Sequence, residues 1–198
     1  MAPLDFAIAE KSRSVLQSAR GQALDAYSGL EQILMEVFCH LISADLGLGG
    51  IVFFRLTNAG LRNRTIQELI KKKHGTKFDI FWFGNQKENG LMKILQQVDQ
   101  TRNEIVHWKP VYEHAIGEFV LKPPNLWNAK PNSKFITIND VHEFIAKTDC
   151  ARHYAGNFNW RTIHYREGDD SPHALAWLDK FERPPAYPPP EGHPLFQM

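Results

Sequence analysis

The sequence predicts a mainly α protein, an up-and-down helical bundle with a small β-hairpin and a C-terminal helical extension. Three observations predict it. Apolar residues recur at three- and four-residue steps through most of the chain before Pro110, with no proline between Asp5 and Leu46. Four such helical stretches are joined by short connections, the pattern of antiparallel neighbours. Beyond Pro110 two short β-rich runs appear before helical spacing resumes. The expected layout is a four-helix bundle over 1–110, a hairpin with packed helices over 111–182 and a proline-rich tail over 183–198.

The first helix runs from about Asp5 to Leu46, either unbroken or softly jointed near Gly21. Its seam is Tyr27, Leu30, Leu34, Val37 and Leu41, widened by Ile33, Phe38 and Ile42. Gly47-Leu48-Gly49-Gly50 is expected to end it, because glycine readily takes the left-handed cap conformation. Ile51-Val52-Phe53-Phe54 fits a strand or a buried helical turn, and its helical neighbours favour the turn. Thr65-x-x-Glu68 reads as a capping box for a helix closing at Gly75, although Asn58 could start it earlier. A loop containing Phe81-Trp82-Phe83-Gly84 leads to a helix over about 86–108, which Pro110 terminates by pushing Lys109 out of the helical region. Phe119-Val120-Leu121 and Phe135-Ile136-Thr137-Ile138 are expected as the two strands, separated by a loop rich in proline. Thr137-x-x-Asp140 opens a helix reaching about Tyr165, and Ser171-Pro172 is a cap and first-turn pair for a short last helix. Six of the 12 prolines fall between Pro184 and Pro194, so the tail should be extended, disordered or laid on a surface.

Composition narrows the function classes. A hydrophobic fraction of 43% with 23% charged residues is that of an ordinary globular domain. A net charge of +1 gives no global case for nucleic acid, so a basic footprint must be local. Two cysteines, Cys39 and Cys150, in helical segments fit a reducing compartment. No basic-then-apolar leader opens the chain and no apolar run reaches the roughly 18 residues of a membrane helix, so the expectation is a cytoplasmic protein without a membrane partner. Glycine-rich phosphate loops, nucleophile elbows and paired metal-binding helix motifs are absent from the sequence. Of nine histidines only Cys150-x-x-His153 forms a tight Cys/His pair, and no second pair completes a tetrahedral set, so neither metal nor cofactor is expected.

The strongest lead is Arg102-Asn103-x-x-x-His107. Leu91, Ile94, Leu95, Val98 and Ile105 fall within an arc of roughly 100° on the fourth helix, and Arg102 lands inside it. A guanidinium keeps its charge, so on an apolar face it must meet a carboxylate, a subunit interface or an anionic ligand. Asn103 and His107 stack on one face at a four-residue spacing and can hydrogen-bond. Arg102 lies about 140° from His107 in a regular helix, so the two converge only if the last turn loosens or a second copy meets the first. An arginine fork can hold a phosphate and an imidazole can move a proton, which suffices for metal-free RNA cleavage. The plainer reading is an arginine–carboxylate pair with a histidine serving the helix C-terminus.

This R-N-x-x-x-H pattern, at the end of the fourth helix of a small bundle, resembles the HEPN superfamily. The preceding Tyr27…Leu30-Glu31…Phe38 helix, the Ile51–Phe54 segment and Arg62…Ile66…Leu69-Ile70 look similar too, so the likeness covers roughly residues 20–110. The resemblance implies a homodimer whose two motifs line one cleft and, in many members, metal-independent endoribonuclease activity. Arg102 and His107 would then be catalytic, Asn103 supporting, RNA the substrate, and a toxin–antitoxin, phage-defence or RNA-processing setting would bring an antitoxin-like partner. The alternative is a non-catalytic HEPN-like interaction or RNA-binding module.

A second candidate is the basic run Arg62, Arg64, Lys71, Lys72, Lys73 and Lys77, able to contact RNA phosphates without sequence preference. Lys71–Lys73 equally suit a helix C-terminal dipole on a solvated face. Phe81-Trp82-Phe83, Trp127 and Trp160 could stack on unpaired bases, although such aromatics more often build a core or interface.

Overall fold

The computed structural model describes residues 6–85, 89–124, 135–164, 171–193 and 195–196. The chain is mainly α with one two-stranded antiparallel hairpin. The elements are α1 (Phe6–Ile42), α2 (Leu46–Arg55), α3 (Ala59–His74), α4 (Asp79–Phe83), α5 (Leu91–His107), β1 (Lys109–Glu113), β2 (Glu118–Lys122), α6 (Ile138–His164) and α7 (Pro172–Asp179). They form two compact units, one of Met1–Tyr27 with Gln100–Ala146 and one of Ser28–Asp99 with Lys147–Met198. No single described helix is long and apolar enough to cross a membrane.

The first unit holds the hairpin and the motif. α1 passes Gly21 without a break. The strand pairing differs from the expected one: β2 pairs with β1, Val111 opposite Val120, while Ile136 makes only a single bridge to Leu121. β1 escaped notice because Pro110 reads as a terminator and the strand lacks an alternating apolar face. Proline is tolerated there because Leu121, opposite it, gives its own N–H and C=O to Ile136, so no donor is asked of Pro110. Gly117, at φ 70°, closes the turn. Thr137 and Asp140 exchange hydrogen bonds at the start of α6, the Thr137 N–H donating to Asp140 at 2.8 Å and the Asp140 N–H to Thr137 Oγ1 at 3.2 Å.

The second unit contains an aromatic core. Phe78, Phe81, Trp82, Phe158 and Phe181 are buried against one another, with Phe81 and Phe158 stacked at 5.8 Å. Three local expectations change here. The 47–50 glycines do not end α1; α1 stops at Ile42, and Asp45 caps α2 by accepting from the Gly47 and Leu48 N–H groups. Those glycines lie inside α2, where a Cβ on Gly49 would collide with Cys39 Sγ, so Gly49 serves close approach and none of the three ends α1. α3 begins from Asn58, whose side chain accepts from the Leu61 N–H at 3.0 Å; the Thr65 hydroxyl donates back to the Leu61 carbonyl instead of capping. The 81–84 segment is not a loop, since Phe81–Phe83 belong to α4, ended by Gly84 at φ 79°. Ile51–Phe54 is helical, Gly75 ends α3 and Ser171-Pro172 caps α7, as expected. The described part of the tail is laid on α6, with Ala186 O accepting from Tyr154 and Leu195 O 2.6 Å from His153 Nε2.

Candidate functional site

The arc expected on α5 is the buried one: Leu91, Ile94, Leu95, Val98 and Ile105 are all in the core. Arg102, on the edge of that arc, is half-buried, and Asn103 and His107 are exposed. The Arg102 guanidinium carbon lies 5.2 Å from the ring centre of buried Tyr27, a cation–π contact. One guanidinium nitrogen donates to Asn103 Oδ1 at 3.2 Å, while the buried Nε has no hydrogen-bond partner among the described residues. No carboxylate comes within ion-pair reach of Arg102 among the described residues. The asparagine is therefore spent on the arginine rather than on His107, and no hydrogen bond joins Arg102 to His107.

α1 supplies the surroundings at seven-residue intervals, which keep Arg13, Arg20 and Tyr27 on one helical face. Arg20 donates to the Val106 carbonyl, one of the orphan acceptors in the last turn of α5, and so holds the end that carries His107. Arg13 sits 6.0 Å from the Phe119 ring centre. The sequence places Tyr27 in the α1 seam and in the helix pattern of the resemblance, but gives it no place at the motif, and it does not single out Arg20. The available signal was a basic residue seven positions before that tyrosine on the same face.

The basic run does not form one stripe. Arg62 is bonded to Glu31 and covers the Phe53 ring at 5.2 Å, so its charge is already matched. Arg64, Lys71, Lys72, Lys73 and Lys77 are exposed, with Lys71 over the Phe83 ring at 5.0 Å. Lys73 donates to the His40 carbonyl at 2.7 Å, and together with Lys77 it borders a cleft described below. Of the aromatic candidates, Phe81 and Trp82 are fully buried and closed to bases, Trp160 is 51% exposed, and Trp127 lies outside the described residues.

Cys150 and His153 face protein rather than each other as a metal pair: the Cys150 thiol points to Ala186 O and His153 to Leu195 O. Burial pushes the Cys150 thiol up to about 12. Among the described residues no three His, Cys, Asp or Glu side chains gather as a metal cluster. No family model matches the chain, and comparison with curated proteins and with solved structures gives no significant match.

Proposed function

We propose that this chain is a metal-independent endoribonuclease of HEPN type that works as a cytoplasmic homodimer. The observation that carries the reading is Arg102, a half-buried guanidinium resting on Tyr27, with neither a carboxylate to neutralise it nor a partner for its Nε among the described residues. A charge in that position is matched by an anion from outside, and a planar fork fits a phosphodiester. His107 is exposed and open to solvent. In the reaction the RNA 2′-hydroxyl attacks the adjacent phosphorus and loses its proton, and the P–O5′ bond breaks as the 5′-oxygen gains one. The products are a 2′,3′-cyclic phosphate and a 5′-hydroxyl. Arg102 would hold the phosphate oxygens as charge builds on them, and His107 would carry one of the two protons. Within one chain no hydrogen bond joins the two side chains, and the reading therefore calls on a second copy to pair them. Toxin–antitoxin, phage-defence and RNA-processing systems are the settings that suit such an activity, the first with an antitoxin-like partner.

The test is cleavage of an RNA ladder in chelator by wild type, Arg102→Ala and His107→Ala, with sedimentation to establish the dimer. Each variant should lose about 100-fold or more. Equal cleavage by all three, or none by a folded wild-type dimer, would sink the reading. The second outcome favours a non-catalytic interaction module, to which the absence of a hydrogen bond between Arg102 and His107 also points.

A further inference from the structure

A cleft of about 520 Å³ opens in the second unit where the end of α3 meets the end of α6. His40, Lys73, His74, Lys77, Thr162 and Ile163 border it, and no acidic side chain does so among the described residues. The cleft is cationic and partly unsatisfied. Lys73 reaches across to the His40 carbonyl at 2.7 Å, which places its ammonium at the rim. His74 is pinned edge-on against Phe78, at 5.2 Å, and Phe158, and its buried Nε2 has no hydrogen-bond partner among the described residues. Burial and the nearby Lys73 charge lower the pKa of His74 to about 4, so near neutrality the ring is uncharged and can offer an N–H without repelling the lysines.

An aromatic surface lies beside this cleft. Ile163 is 53% exposed on α6, and Trp160, one turn earlier on the same face, is 51% exposed. The Trp160 ring is braced by Trp177 at 5.3 Å and His164 at 4.7 Å, and Lys180 covers Trp177 at 4.3 Å. A braced, exposed indole next to a cleft bordered, among the described residues, by basic and not acidic side chains has the two features that a nucleotide needs, a ring for the base and cations for the phosphate.

We infer that this cleft binds the phosphate of a nucleotide, through Lys73, Lys77 and His74, with the base laid on Trp160. The site goes beyond the nuclease reading and stands without it, since none of its residues belongs to the Arg102 motif. The nucleotide could be free or part of a single RNA strand, and the two sources share the same chemistry.

The experiment titrates the full chain, in chelator, with adenosine 5′-monophosphate and separately with a 2′-O-methyl oligoadenylate of about ten residues, which cannot be cleaved through its 2′-oxygen. Tryptophan quenching is the readout, with Kd measured independently by calorimetry. Quenching by the monophosphate assigns a free nucleotide, and quenching by the oligomer alone assigns a strand. The K73Q/K77Q double variant should weaken binding about tenfold or more, Lys73→Arg should keep most of it, and Trp160→Leu should abolish quenching and weaken binding. Thermal melts confirm that each variant is folded. Absence of binding by either ligand at millimolar concentration overturns the proposal, as does unchanged affinity in folded K73Q/K77Q. Unchanged affinity in Trp160→Leu also overturns it, leaving a bare anion site. RNA cleavage by Arg102→Ala is scored separately, so the two readings can fail independently.

Discussion

Two arginines, one on α3 and one on α5, illustrate how residue context decides role. Arg62 is matched by Glu31, with side chains only 12% and 20% exposed, whereas Arg102 has an aromatic face and an asparagine but no carboxylate among the described residues. Replacing each by methionine should separate them. Arg62→Met strands the Glu31 carboxylate and should cost about 2 kcal/mol, while Arg102→Met keeps the Tyr27 packing and should cost less than about 1 kcal/mol, both read by urea unfolding. Arg102→Lys retains the charge but loses the fork, so the proposed cleavage should still fall to near the alanine level. His74 supplies a pH dependence of known sign. Its pKa is lowered from 6.5 to about 4 chiefly by burial, so the unfolded chain takes up the proton first. Stability is therefore full above about pH 6.5 and declines as pH falls toward 4, by up to about 3 kcal/mol. His74→Phe removes the titrating ring while keeping the edge contacts with Phe78 and Phe158, and should flatten that part of the stability profile in denaturant melts.

Element boundaries were set by single side chains and close approaches. Asn58 rather than Thr65 starts α3, so Asn58→Ala should lower stability by about 1 kcal/mol and Thr65→Ala by only a few tenths, measured by urea midpoint at constant slope. The 47–50 glycines looked like a stop because glycine is common past helix ends. Inside α2 the value of Gly49 is its missing Cβ, and Gly49→Ala should cost about 1–3 kcal/mol as Cys39 is forced aside. The hairpin was half legible. Phe119-Val120-Leu121 carries β-branched and apolar character, but its partner β1 holds a lysine, a proline and a glutamate, and only the pairing reveals it as a strand. The Lys122 ammonium donates to Glu113 across that hairpin and holds the Glu113 carboxyl below its ordinary range, with the Ala115 N–H adding to the effect.

At the scale of the whole molecule, the tail is part of the fold. Buried His193 and Leu195, the Ala186–Tyr154 hydrogen bond and Phe196 against His153 at 4.4 Å fasten it to α6 and cover Cys150. Removing residues 183–198 should expose Cys150, lower its thiol pKa from about 12 toward the ordinary value and raise its alkylation rate about tenfold or more, followed by peptide mass mapping. An unchanged rate would mean that other packing shields the thiol.

The helical class, the buried face of α5, the Asp140 and Ser171 helix starts and the Arg102–His107 lead were legible in the order of residues alone. Each rests on periodicity or on a cap within a few positions, and such short-range physics is written locally. Tertiary structure alone decided that Arg20 and Tyr27 flank the motif, that Glu31 claims Arg62, that Phe81 and Trp82 are core, and that Lys73, Lys77 and His74 share a cleft near Trp160. Those facts depend on which distant segments meet, and a charge or a ring takes its role from the neighbour that the fold brings to it.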